Sequence, residues 1–143
     1  MIGFFISLLS GALMSIQGVW NTQTTQQTSL WVTNILVQFS AGVVCLIAWA
    51  LFDRTPFHTL LEVTPRYCLL GGVLGAFITL TVIQGMQSLG PAKAVLLIVI
   101  AQLLVAYLIE LLGLFGTEKV AFSVRKLIGI VVAIAGFVLF KWE

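Results

Sequence analysis

The sequence predicts an all-α integral membrane protein of five transmembrane helices, on three observations. Of 143 residues, 60% are hydrophobic and 8% charged, where an ordinary soluble domain carries about 25% charged residues. Five apolar segments, residues 2–20, 30–52, 67–87, 92–114 and 126–140, take up most of the chain. About 20 helical residues cross the ~30 Å hydrocarbon layer, so each is long enough, the fifth barely. None of the segments alternates as ten-residue barrel strands do, which leaves helices as the spans. Residues 1–143 therefore read as a single transmembrane domain, with no loop large enough to hold a catalytic domain.

The first segment, residues 2–20, has no basic residue before it and no small-x-small site in residues 15–21, so it is expected to stay as a helix rather than be cleaved as a signal peptide. A polar Thr/Gln run, residues 21–29, is expected to link it to the second. Residues 53–65 hold two prolines and several charges and should form the next loop. Leu89-Gly90-Pro91 reads as a tight turn, with Pro91 opening the fourth helix where its missing N–H costs nothing. Residues 116–123 should close the fourth helix before the fifth begins.

Lys and Arg divide unevenly between the two sides. Five crossings put Arg54, Arg66, Lys119, Arg125 and Lys126 on the side of the N-terminus, and Lys93 and Lys141 opposite. The positive-inside rule then predicts a cytoplasmic N-terminus and an external C-terminus in a bacterial inner membrane. On that reading Trp20, Trp31 and Trp142 form an outer aromatic belt, with Trp49 and Tyr67 nearer the inner interface.

The net charge of +2 comes without any basic run, so nucleic acid is not an expected partner. Cys45 and Cys68 have neither disulfide nor metal spacing and read as packing residues. His58 lies in a charged loop. No His/Asp/Ser or metal-ligand constellation is present, so neither an enzyme nor any cofactor or metal is expected.

Polar residues inside apolar helices are costly and point to function by default. In the second helix Asn34, Gln38, Gly42, Cys45 and Trp49 recur every three or four residues; in the first, Ser7, Gly11, Met14, Gln17, Gly18 and Asn21 do the same. Gln102, Ala106 and Glu110 stack on the fourth. These stripes either hold helices together or line a polar cavity, and for the set the cavity is favoured. The expected substrate-binding residues are Gln17, Trp20, Asn21, Asn34, Gln38 and Gln102. Trp20 also reads as an interfacial anchor. Glu110, the only acid in an apolar run, is a candidate ion or proton site, or an interfacial partner for Lys119, Arg125 or Lys126. Gly71, Gly72 and Gly75 of the third helix and Gly129, Ala133 and Gly136 of the fifth present small faces suited to helix packing or an oligomer contact.

Taken in order, Gly11-x-x-Met14-x-x-Gln17-x-x-x-Asn21, Gly71-Gly72-x-x-Gly75, Ala101-Gln102 with Glu110 and Gly113-Leu-Phe-Gly116, and Arg125-x-x-x-Gly129 with Gly136 resemble the YdcZ-like family over nearly the whole chain. That family is a five-helix branch of the drug/metabolite transporter superfamily. Ala101 stands where a glycine is expected and Glu110 where aspartate is commoner. The resemblance implies one half of an inverted-repeat transporter. Such a half needs an upside-down partner, so an antiparallel dimer with a second copy, or a pair with an oppositely oriented paralogue, is implied. The chain is also similar to the four-helix small multidrug resistance proteins, which carry a glutamate in the first helix. Here the matching stretch has Gln17, which implies a neutral or zwitterionic solute or uncoupled transport.

The function expected is transport, as export of a small polar organic solute or metabolite by alternating access at the dimer interface, with the lipid bilayer as surroundings. The alternative is a non-transporting structural or regulatory subunit packed against a larger or paralogous partner.

Overall fold

The computed structural model describes residues 1–141, and among them every regular element is helical. The five long helices are α1 Ile2–Gln27, α2 Leu30–Ala48, α3 Gly71–Leu89, α4 Pro91–Leu112 and α5 Val124–Lys141. A π-helical turn, Trp49–Asp53, prolongs α2, and short 3-10 turns occupy Phe57–Glu62, Arg66–Leu70 and Leu114–Gly116. Trp142 lies outside the described residues, so the outer belt can be followed only at Trp20 and Trp31, both exposed.

The largest departure from expectation is at the first turn. Residues 21–29 read as a loop, yet α1 continues to Gln27. The threonines explain it. The hydroxyls of Thr22, Thr24, Thr25 and Thr28 each donate to the carbonyl four residues back, at 2.8 to 3.0 Å. Hydroxyls that would favour a turn are thereby absorbed by the helix itself. The link to α2 shrinks to Thr28 and Ser29, and the Ser29 hydroxyl caps α2 by accepting from the Val32 N–H at 3.2 Å. At 26 residues, α1 rises about 39 Å, so it is longer than the apolar layer and either tilts or projects its threonine end into the interface.

The second helix loses α-geometry at Trp49, earlier than residue 52. Arg54 takes a left-handed conformation, φ 57°, and its N–H returns to the Trp49 carbonyl at 2.9 Å. The Arg54 Nε donates to the Ala50 carbonyl and the Trp49 indole to the Thr55 carbonyl, both at 2.8 Å. Trp49 also stacks near Phe57, centroids 4.7 Å apart. It therefore fastens the loop. The 89–91 turn is as read: Gly90 has φ 80° and α4 starts at Pro91.

Among the described residues, four elements are long and apolar enough to cross a membrane: Ile2–Gln27, Leu30–Asp53, Arg66–Leu89 and Pro91–Leu112. The last helix falls outside that set because Arg125, Lys126 and Lys141 bracket it. The apolar residues between, 127–140, rise only about 21 Å.

The helices pack as two units, Met1–Ser88 and the chain from Leu89 onward. In the first, the buried residues are Gly18 and Thr22 of α1, Thr33 and Asn34 of α2, and Leu80, Ile83 and Met86 of α3. All lie toward the α1–α2 turn, whereas residues 1–14 are exposed throughout. Gly18 is the close approach: a Cβ there would collide with the Met86 methyl and stand 2.7 Å from its sulfur. In the second unit Ala94, Ile100 and Tyr107 of α4 and Ile130 of α5 are buried.

Between α4 and α5 the chain doubles back. Gly113 takes φ 65° and ends α4. The Thr117 hydroxyl then reaches the Ile109 carbonyl at 3.4 Å, the Val120 N–H donates to the Glu110 carbonyl at 3.0 Å, and the Ser123 N–H donates to the Tyr107 hydroxyl at 2.9 Å. The 117–123 segment thus runs back along the last turns of α4, and α5 starts beside Tyr107.

Candidate solute groove and charged cluster

The amides singled out in the sequence divide by what they touch. On α1, Gln17 is exposed and its side chain makes no hydrogen bond among the described residues. It borders an open groove of about 670 Å³, lined by Ser10, Leu13, Met14, Ile16, Gln17 and Trp20. Spacing of three and four residues puts these on one side of the helix. Trp20 is 67% exposed, its ring available along the groove. Asn21 is half-buried, and its carbonyl accepts the Thr25 hydroxyl.

On α2 the arrangement is closed. Asn34 is 6% exposed, and its Nδ2 donates to the Ala76 carbonyl of α3 at 3.2 Å. The Gln38 Nε2 donates to Asn34 Oδ1 and to the Thr79 hydroxyl, both at 3.2 Å. Thr79 in turn donates to the Gly75 carbonyl at 3.0 Å. This is an amide ladder tying α2 to α3, the kind of interhelical hydrogen bonding that holds membrane helices together. Above it, the Thr25 and Thr33 hydroxyls lie 3.0 Å apart, within hydrogen-bond distance, and Thr33 is fully buried. Thr25, Thr33 and Thr79 were not among the expected site residues; Thr25 lay in the run expected as a loop, and for Thr79 the available signal was Gly75 four residues earlier in the same helix.

In the second unit, Gln102 is exposed on α4 and its amide has no partner among the described residues. Glu110 is paired: the Lys126 Nζ lies 2.8 Å from its Oε2, the two side chains being 46% and 45% exposed. The same ammonium stands 5.2 Å from the centre of the Tyr107 ring. Leu103, Ala106, Tyr107, Glu110, Lys126, Gly129 and Ile130 enclose a pocket of about 400 Å³ between α4 and α5.

Of the fifth-helix small face, Ala133 is half-buried, but nothing lies within 4 Å of a Cβ placed on Gly129 or Gly136. Gly71, Gly72 and Gly75 are equally open. The close helix approach expected at these glycines is found instead at Gly18, which the sequence had assigned to the polar stripe.

No group of three or more His, Cys, Asp or Glu suited to a metal is found among the described residues.

Comparison with known proteins gives one finding. A family model described as "Putative inner membrane exporter, YdcZ" matches residues 2–139. No curated protein and no solved structure matches. Because the match runs over almost the entire chain, this multi-pass inner-membrane protein belongs to the YdcZ family, whose description is that of a transporter.

Proposed function

We propose that the chain exports a small polar organic solute by alternating access, with the solute bound along the α1 face that carries Gln17 and Trp20. The observation that carries this reading is the open groove of about 670 Å³ beside an unpartnered amide. An amide donates and accepts hydrogen bonds without a fixed charge, which suits a neutral polar solute. The Trp20 ring supplies a flat apolar wall beside it. Asn21 flanks the groove's end, and Gln102 is the second unit's candidate contributor. Asn34 and Gln38 serve by fixing α2 on α3 instead of by contacting solute.

Alternating access needs a second half. The proposed partner is a second copy, or an oppositely oriented paralogue, inserted antiparallel to the first. The exposed glycine faces of α3 and α5 are its candidate contacts. α5 is proposed as the fifth crossing, its apolar stretch of ~21 Å accommodated by local thinning of the bilayer with Arg125 and Lys126 at one edge. The N-terminus is then cytoplasmic, following the five-to-two division of Lys and Arg.

A thermal-shift screen of purified protein against polyols, monosaccharides and small amides tests the site. Stabilising solutes should lose their effect in Gln17→Ala and Trp20→Ala and keep it in the variant Gln84→Ala, an exposed α3 amide outside the groove lining. Stabilisation that survives both α1 substitutions would remove the solute from this groove. If no solute acts on either protein and liposomes show no flux, the reading as a packing subunit replaces transport.

A further inference from the structure

The Glu110–Lys126 pair sits oddly for a mere surface ion pair. It borders a pocket of about 400 Å³, within the size range of small-molecule sites. The aromatic wall is the buried Tyr107, held in place at its hydroxyl by the Ser123 N–H. The floor is apolar, Leu103, Ala106 and Ile130, and Gly129 leaves its own side open. At its edge stand one carboxylate and one ammonium, each nearly half exposed and, among the described residues, each the other's only charged partner.

We propose that this pair is the resting form of a binding site for a small zwitterion. The ligand's ammonium takes the place of Lys126 between the Glu110 carboxylate and the Tyr107 ring, and its acid group takes the released Lys126. An ammonium already occupies that position, at 2.8 Å from the carboxylate and 5.2 Å from the ring centre, which is the geometry of a cation held by an anion and a π face. A half-exposed ion pair is weakly held, and Lys is a flexible stem that can swing aside.

Charge balance selects a zwitterion over a simple cation or anion. A cation on Glu110 would leave Lys126 unpaired beside Arg125, which has no ionic partner among the described residues. An anion on Lys126 would strand Glu110. A zwitterion leaves both residues compensated, and the apolar floor accepts a short aliphatic side chain. Two sources share this chemistry, a free α-amino acid and the ethanolamine headgroup of a phospholipid. The site shares no lining residue with the α1 groove and does not depend on the reading given to it.

The experiment uses the full chain in nanodiscs of phosphatidylglycerol alone. Binding of L-valine and of glycerophosphoethanolamine is measured by titration, with isobutylamine and isovalerate as the single-charge analogues of valine. Saturable binding of at least one zwitterion is expected, at least tenfold tighter than either analogue. Whichever zwitterion binds identifies the source. Glu110→Gln and Lys126→Met should each weaken it tenfold or more, while Cys68→Ala, outside both pockets, leaves it unchanged. The exchanged variant Glu110→Lys/Lys126→Glu should recover binding to within about threefold, which excludes misfolding as the cause of the losses. The proposal is overturned if isobutylamine or isovalerate binds as tightly as valine, if neither zwitterion binds, or if Glu110→Gln binds as well as the unmodified chain.

Discussion

Gln17 on α1 and Gln38 on α2 are the same residue type in neighbouring apolar helices, yet they end in opposite situations. Gln38 spends its amide on Asn34 and Thr79, whereas Gln17 faces an open groove with its amide free. The difference lies in what stands opposite. α3 presents Thr79 and a helical carbonyl at Ala76 to the α2 amides. α1 presents Gly18, not Gln17, to α3, and Gly18 meets the apolar Met86. An intramembrane amide is therefore structural where the facing helix offers a partner and available where it does not. The cost of leaving an amide in lipid makes the second case informative.

Substitutions can break that contrast, and the largest effect is expected where packing is tightest. Gly18→Val places branched atoms in the Met86 side chain and should destabilise the protein by about 1–3 kcal/mol, measured by denaturant titration in micelles. Met86→Ala in the same chain should recover part of the loss, since the far end of Met86 is the obstruction. Equal losses with and without Met86→Ala would move the clash elsewhere.

Next comes Asn34→Ala, which cuts the ladder and leaves Gln38 with Thr79 alone. A loss of about 0.6–1.7 kcal/mol is expected, the range of interhelical hydrogen bonds in membranes. Gln17→Ala should change stability by less than about 0.5 kcal/mol. If Gln17→Ala costs as much as Asn34→Ala, Gln17 has a partner and the contrast fails. The smallest effect is expected at Glu110→Gln, since a half-exposed ion pair contributes at most about 1 kcal/mol, read as a small shift in unfolding midpoint that added salt reduces.

The fold was legible wherever apolar length and glycine or proline punctuation decide it: α2, the Gly90-Pro91 turn and α4 lie close to expectation. It was least legible at residues 21–27 and 113–123. Threonine favours a turn by its side-chain hydrogen bonds, and the same hydroxyls extend α1 once they turn back onto carbonyls four residues earlier. The return of 117–123 onto α4 depends on Tyr107 meeting Ser123, sixteen residues away, which no local pattern encodes. The pairing of Glu110 with a basic residue near the start of the last helix could be read in advance, from one acid and a cluster of cations at one membrane edge. The division of the amides could not be, because periodicity places a side chain on a face without saying what the next helix puts against it.

The most direct test of the central claim is water accessibility at two α-helical positions. In a chain with Cys45 and Cys68 replaced, Gln17→Cys and Asn34→Cys would be treated in whole cells with a membrane-impermeant, charged thiosulfonate. Rapid modification at position 17 and none at 34 is the expected result, as a water-filled groove on α1 and a sealed ladder on α2 require. Position 17 staying unmodified, or 34 reacting as fast, would place Gln17 against lipid or protein and contradict the assignment of solute to the α1 face.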